Sequence, residues 1–428
     1  MNNDEANKKL SIKQNMLWNS IGSLTYLGCQ WLITIFVVRL SESYESAGVL
    51  SLAMSVYNIF APLAIYRMYT YQVSDVKKEN STGEYLSFRI LTCAISLVLI
   101  VAYAALTCPL TAFPAILLYS ASKIISLVID VLHGADQING RMDYIGRSLI
   151  AQGFGTLLSF CVTFEVTKGL EAACLAMAIA TLAIGFVYDL PRTRQFEPII
   201  FGITRKKAFH LLGYCFPIVL AAVACSAAPS IPRQLLALIN GESALGIYAS
   251  IAAPVAIIQM GASYIYNPLL TIFAEHYAKG EQRELVTILV KAAAGIAFVG
   301  ILAVIGFELF GELVLGLMYG SSIIPYCYLL TPMIICSLCT AFVWFLNDLL
   351  VALRCFKGSL AGNIIALLVS AACCLPLINC FGMNGVSFAG IASYAAASLV
   401  MVLFLKQTVA RNTNRSSSLP ESKEQRNS

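Results

Sequence analysis

The chain has 428 residues, of which 58% are hydrophobic and only 12% charged, whereas a soluble domain is about a quarter charged. That gap excludes an ordinary soluble globule and points to an integral membrane protein. The net charge of +5 needs no nucleic-acid partner, because cations of this kind act as topology signals and contacts for anionic lipid headgroups.

The N-terminal segment, residues 1–15, is charged and precedes an apolar run from Met16 to Leu40. That run is longer than a signal-peptide core and lacks a small-x-small cleavage site, so it reads as a first membrane helix that is retained. Apolar stretches of about 20 residues can cross a bilayer, and twelve occur in order. They are 16–38, 47–70, 90–108, 110–132, 145–166, 170–189, 209–230, 244–270, 286–308, 323–350, 359–380 and 385–406. The segment "FGELVLGLMYGSS" suggests an added short interfacial helix.

Charge placement gives an independent test, since Lys and Arg gather in cytoplasmic loops. Of the 28 Lys and Arg, only Arg39, Lys168 and Arg233 fall on the outer side of this map. Arg67 and Lys123 lie within spans, and the others, with Lys77, Lys78 and Arg89 in the loop after span two, are cytoplasmic. Both termini are therefore expected inside a bacterial cytoplasmic membrane. The expected fold is all-α, a polytopic protein of about twelve transmembrane helices in two six-helix bundles around a central cavity. The first bundle covers 16–190, a cytoplasmic linker 191–208, the second bundle 209–406, and a polar, disordered tail 407–428.

A faint repeat relates the halves. "RLSESYESAGVLSLAMSVYNIFAPLAIY" from Arg39 parallels "RQLLALINGESALGIYASIAAPVAIIQMGASY" from Arg233, each with an Arg, a loop, a Gly-led span and a mid-span Pro, Pro62 and Pro254. Asp130 precedes Gly140 by the same interval as Asp348 precedes Gly358. A parallel six-plus-six repeat is one of the transporter architectures with a substrate path between its halves.

Span four carries the chemistry. At 100° per residue, Lys123, Ser126, Asp130, His133 and Gln137 fall within about 40° of Tyr119, with Ile124, Val128, Val131 and Leu132 opposite. A Lys or Asp at a helix centre costs at least about 2.5–3.5 kcal/mol against lipid, so the stripe faces protein or water. Lys123 and Asp130 are about 10 Å apart along the axis, too far to pair as helix neighbours do. Lys123 then has either an acid on another helix or an anionic substrate, and Asp130 is either a site residue or simply solvated at the inner mouth.

Arg67, late in span two, reads equally as a headgroup anchor and as a site residue. Arg39 and Arg233 are outer-mouth candidates, with snorkelling the plainer account. Span ten repeats a weaker stripe of Ser337, Thr340, Trp344 and Asp348. Pro114 and Pro332 in spans four and ten suggest kinks. His133, His210 and His276 lie near inner span ends and read as solvated. "CSLC" (Cys336, Cys339) has metal-like spacing, but no second pair or His cluster accompanies it, so no metal, cofactor or catalytic residue is expected. No P-loop sequence occurs, which removes ATP hydrolysis by that route.

"KIISLVIDVLHGADQINGRMDYIGRS" resembles the fourth-helix region of bacterial polysaccharide flippases of the Wzx type, in the multidrug/oligosaccharidyl-lipid/polysaccharide exporter superfamily. "RLSESYESAGVLSLAMSVYNIF" and "YQVSDVKKENSTGEYLSFRI" resemble the same family from the end of helix one through loop two, and the twelve-span plan covers nearly the whole chain. The resemblance implies an undecaprenyl-diphosphate-linked oligosaccharide as substrate, carried by alternating access without ATP. It also implies membrane lipids as neighbours and the polymerase and glycosyltransferases of the same pathway as partners. Lys123 and Arg67 match charged positions of the family pattern, and Asp130, Gln137 and Arg141 follow in its order. "IYRMYTYQ" departs from it, lacking the Gly expected near Arg67. An ion-coupled drug or metabolite antiporter of the same superfamily is the alternative, although a cationic substrate would favour an acidic cavity. A membrane glycan polymerase or ligase would want a long outer loop, and a non-transporting scaffold leaves the polar stripe unexplained.

Overall fold

A computed structural model describes residues 10–75, 79–279 and 281–416, and the regular elements among them are all helical. Residues 1–9, 76–78 and 417–428, which hold Lys77, Lys78 and most of the expected tail, lie outside the described residues. Among the described residues twelve helices are long and apolar enough to span a membrane. They are α1 Ile12–Arg39, α2 Glu45–Ser74, α3 Thr82–Thr107, α4 Phe113–Ile138, α5 Met142–Thr167 and α6 Leu170–Thr193. There follow α7 Arg205–Asn240, α8 Glu242–Lys279, α9 Gln282–Tyr319, α10 Ser321–Ala352, α11 Phe356–Phe381 and α12 Asn384–Ser416. Their exteriors are what lipid requires: Leu106, Val166, Val187 and Leu317 are each at least 76% exposed, which a monomer in water would not tolerate as a continuous surface.

Local signals set the helix ends. Ser11 and Ser81 open α1 and α3 with capping boxes completed by Gln14 and Glu84, which satisfy otherwise orphaned amides. Pro114 sits in the first turn of α4, and Pro332 in the first turn of the α-helical part of α10, Leu330–Ala352. A first-turn proline has no intrahelical bond to lose, so Pro114 starts its helix rather than kinking it, while Pro332 stands where the 3-10 stretch Ser321–Leu329 gives way to α-helix. The "FGELVLGLMYGSS" segment is no separate interfacial helix. Its apolar run continues α9 to Tyr319, and α12 likewise runs beyond 406, through part of the expected tail.

The chain divides into two compact units, Met1–Ala253 with Leu315–Ile324, and Pro254–Val314 with Pro325–Ser428. The divisions fall inside α8, α9 and α10, and α7 packs on α2 within the first unit. In that unit α1 lies along α5, so closely that a Cβ on Gly22 would stand 2.6 Å from the Gly146 Cα. α2 and the start of α8 meet in the same way. A Cβ on Gly48 would strike the Glu242 carbonyl, four residues before Gly246, and one on Gly246 would strike the Tyr44 carbonyl, four before Gly48. These are the leading glycines of the two echoed sequence segments, and they pack on each other reciprocally.

α2 is broken. Its first part ends at Ile65, Tyr66 (φ 45°) and Arg67 (φ 56°) take left-handed backbone, and a second part resumes at Met68. The break leaves carbonyls without helical donors, and α3 supplies replacements from one polar face. Arg89 Nη1 donates to Ala64 O (3.0 Å) and Ile65 O, and Thr92 Oγ1 to Ala64 O (3.0 Å), while Ser96 Oγ adds a bond to Phe60 O (3.0 Å) one turn earlier. In the second unit α11 lies along α12, and α10 packs on both. Asn347 of α10 accepts hydrogen bonds from Ser359 Oγ (2.6 Å) and Asn363 Nδ2 (3.1 Å) of α11.

Candidate functional site

The polar stripe of α4 lies in the first unit and splits into two environments. Near its start, Lys123 is half-buried, and its ammonium donates to Gln30 Oε1 of α1. It also lies 5.7 Å from the ring centre of Tyr26 and 5.4 Å from that of Tyr119, within the range of cation–π attraction. Gln30 is itself fixed, since its Nε2 donates to Thr156 Oγ1 of α5 at 3.0 Å. Tyr119 is buried and meets the Tyr57 ring of α2 edge-on at 6.1 Å. Among the described residues no carboxylate pairs with Lys123. The site is an ammonium framed by an amide and aromatic faces, positioned from α1, α2, α4 and α5.

Farther along the stripe Asp130 and His133 each meet a charged partner, whereas Asp136, off the stripe and fully buried, has only Thr193 Oγ1 at 3.5 Å on one oxygen among the described residues. Asp130 Oδ2 pairs with Arg89 Nη2 at 3.2 Å, the guanidinium being fully buried, so Asp130 is neither simply solvated nor paired with Lys123. His133 corrects a second expectation: it is 4% exposed rather than solvated, with Nε2 3.2 Å from Asp189 Oδ1. Asp189 ends a π-helical turn, Gly185–Asp189, in α6, and its other oxygen accepts from Ser148 Oγ at 2.9 Å. A Cβ on Gly185 would come within 2.8 Å of Ile129, so glycine permits the close approach of α6 to α4 that lets His133 reach. Gln137 accepts from the Tyr69 hydroxyl. Ser126 is spent locally, donating to Ser122 O at 3.4 Å.

The other candidates are dispersed. Arg67 is exposed on the left-handed break of α2, near which the resemblance implied a Gly. That departure is physical, since L side chains rarely adopt this backbone and Gly does so freely. Arg39 is a helix cap: its Nε donates to Met318 O (2.7 Å) and its Nη2 to Leu317 O, satisfying the end of α9. Arg233 is half-buried on α7. Asp348 belongs to the second unit, where Tyr266 OH approaches its Oδ2 at 3.4 Å. Of the residues named from sequence, the structure brings Lys123 and Tyr119 together, and adds Tyr26 and Gln30.

Arg89 is the residue that sequence reasoning misplaced, in a loop rather than at 0% exposure inside α3. The signal was present: Tyr85, Arg89, Thr92, Ser96 and Tyr103 recur at helical spacing, the same test that exposed the stripe on α4.

Among the described residues no group of three or more His, Cys, Asp and Glu could hold a metal ion. The fold and site define a multi-pass helical membrane protein with a half-buried ammonium that no carboxylate pairs among the described residues. No protein-family model and no curated relative matches the sequence. Solved structures do match its fold. One is an inward-facing multidrug resistance MATE family transporter of the MOP superfamily, with TM-score 0.71 and 13% identity over 95% of this chain and 100% of that one. Another is the lipid II flippase MurJ in an inward closed conformation, with TM-score 0.71 and 11% identity over 95% of this chain and 94% of that one. A third is a MOP superfamily transporter from Pyrococcus furiosus described by the reverse polarity of its binding pocket, with TM-score 0.58, 11% identity and coverage of 94% and 95%. The chain thus has the fold of MOP superfamily transporters.

Proposed function

We propose that the protein is a flippase that carries an undecaprenyl-diphosphate-linked oligosaccharide from the inner to the outer leaflet of a bacterial cytoplasmic membrane, with both termini cytoplasmic. The observation that carries this reading is Lys123: an ammonium at membrane depth, held by a neutral amide and two tyrosine rings, with no carboxylate partner among the described residues. Such a charge is expensive beside lipid unless an anion completes it, and a diphosphate is a suitable anion for a point-charge donor. Gln30, Tyr26 and Tyr119 would add hydrogen bonding and flat surface for the sugar next to the phosphates. The two six-helix halves would rock about the site so that it opens to each side in turn, with Arg67 and Asp348 as further contacts.

The shared fold with a lipid II flippase supports a lipid-linked substrate. The shared fold with MATE family transporters supports the alternative, an ion-coupled drug or metabolite antiporter. A hydrophobic cation would be repelled by Lys123, which favours the flippase. A polymerase or ligase is favoured less, because the connections 40–44, 108–112 and 168–169 on the side opposite the N-terminus are too short to assemble catalytic groups. In the flippase reading, glycosyltransferases supply the substrate and a polysaccharide polymerase consumes it.

The test is a deletion strain in which the lipid-linked glycan is located by leaflet, complemented with native protein and with Lys123→Ala and Lys123→Arg. Accumulation on the inner leaflet, rescued by the native chain and by Arg better than by Ala, is the expected result. Normal export in the deletion strain would remove the flippase assignment, and full rescue by Ala would remove the role of Lys123.

A further inference from the structure

On the lipid side of the first unit, an apolar line along α5 ends on a cation. α1 and α5 run in the same direction, Gly22 meeting Gly146 and Cys29 meeting Gly153. A Cβ on Gly146 would stand 2.4 Å from the Trp18 carbonyl oxygen, so the helices touch where Arg147 leaves α5. At 100° per residue Arg147 stands within about 20° of Phe154, and Phe154, Leu158 and Val162 are 51%, 61% and 62% exposed. On α1, Leu17 and Leu24 are 60% and 55% exposed. Leu158 lies about 16 Å along the axis from Arg147, and one leaflet of a bilayer core is about 15 Å deep. The apolar line is therefore one leaflet deep, with Arg147 at its rim.

Two guanidiniums at this rim are held on aromatic rings. Arg147 is exposed, with its Cζ 5.1 Å from the ring centre of Trp18. Arg192 of α6 has its Cζ 3.5 Å from the ring centre of Tyr188 and 5.6 Å from that of Tyr144, and its Nη1 donates to Tyr188 O at 3.0 Å. The charges of both arginines reach the Tyr188 hydroxyl, which places them on one rim. Two carboxylates of these helix ends are engaged elsewhere. Asp143, one turn before Arg147, holds Arg141 at 2.9 Å, and Asp189 is taken by His133 at 3.2 Å and Ser148 at 2.9 Å. A guanidinium stacked on a ring keeps a planar fork of N–H donors that matches phosphate oxygens.

From two ring-stacked guanidiniums at the end of an apolar line one leaflet deep, we infer that this face binds one anionic diacyl phospholipid, its phosphate on Arg147 and Arg192 and an acyl chain along Phe154 and Leu158. The leaflet is the one at the end of the bundle that carries the N-terminus, the inner leaflet in the proposed orientation. A zwitterionic headgroup brings its own cation to the phosphate and gains less from two arginines. A merely positive surface would treat Arg147 like any other exposed cation, whereas a built site depends on this one.

The experiment is thermal unfolding of the full chain in detergent, titrated with phosphatidylglycerol, with phosphatidylcholine of the same acyl chains, and with inorganic phosphate at matched ionic strength. Ligand that binds the folded state raises the midpoint. The expected result is a saturable rise with phosphatidylglycerol, a response at least tenfold weaker with phosphatidylcholine, and none with inorganic phosphate. Arg147→Gln, at an exposed position that accommodates the change, should weaken apparent affinity for phosphatidylglycerol at least tenfold. Lys206→Gln, which removes an exposed cation at the start of α7, should leave it unchanged. Equal responses to the two lipids, a rise with phosphate alone, an undiminished response in Arg147→Gln, or an equal loss in Lys206→Gln overturns the proposal. Lipid binding in detergent reads no transport, so its failure and the failure of the flippase reading are distinguishable.

Discussion

The two ends of the α4 stripe place ionisable groups in the same oily helix and treat them in opposite ways. Lys123 is given a neutral amide and two aromatic faces. About 15 Å farther along the axis, His133 is given Asp189, and between them Asp130 is given Arg89. A protein that needed only a stable bundle would neutralise all three, as it does with two. On the flippase reading, the difference separates paired charges that hold the fold from one left for substrate, and substitutions at each end should therefore fail in different ways.

The largest effect on stability is expected at Arg89. Arg89→Leu removes the donors to Ala64 O and Ile65 O and leaves Asp130 without its partner, and breaking a buried pair from one side costs about 3–5 kcal/mol. The variant should unfold at clearly lower temperature in detergent, with loss of transport following from loss of protein. Arg89→Leu combined with Asp130→Leu should recover a measurable part, since replacing both partners by apolar groups is often neutral. If Arg89→Leu alone unfolds like the native chain, the division between structural and available charges is wrong at its structural end.

Arg67 comes next. A non-glycine residue in left-handed backbone costs about 1–2 kcal/mol, so Arg67→Gly should raise the unfolding midpoint by an amount of that order. If Arg67 also meets substrate, transport per folded molecule falls while stability rises. An anchoring role alone would leave transport unchanged. Lys123→Met should move stability by less than about 1 kcal/mol, because its present partners are neutral and such contacts contribute on that scale, yet reduce transport at least tenfold. A large loss of stability in Lys123→Met would show that the ammonium is a structural element after all.

The helix count, their order and the amphipathic face of α4 were legible because lipid imposes length and periodicity on sequence directly. Separating Lys123 from Asp130 was legible too, since the seven-residue interval on one helix excludes a pair. The partners were not, because Arg89 and Asp189 reach α4 across sequence separations of 41 and 56 residues, which no local pattern encodes. The cap role of Arg39 was hidden for the same reason, its acceptors lying 278 and 279 residues away. The break at Tyr66 and Arg67 had a partial signal in the absent glycine of the resembled family. What hid it was that neither residue type announces left-handed backbone.

The smallest expected effect concerns a charge outside the spans, and it checks the distinction with pH rather than with packing. Burial raises the Asp75 carboxyl, yet the Glu79 amide, the Tyr85 hydroxyl, the Asn80 amide and Lys207 together outweigh burial and hold it below the ordinary carboxylate value. A folded-state value below the unfolded one, about 3.9 for Asp, adds stability that is complete above the unfolded value. It is lost as pH falls through the folded value. Native protein should therefore exceed Asp75→Asn in unfolding midpoint at pH 7, by an amount of the order of one hydrogen bond, about 1 kcal/mol. The gap should close as the pH is lowered below about 4. A gap that persists unchanged at about pH 3, below the unfolded value, would mean that the Asp75→Asn amide disturbs the connection by shape. The Asp75 charge would then contribute nothing to holding the end of α2 against α3.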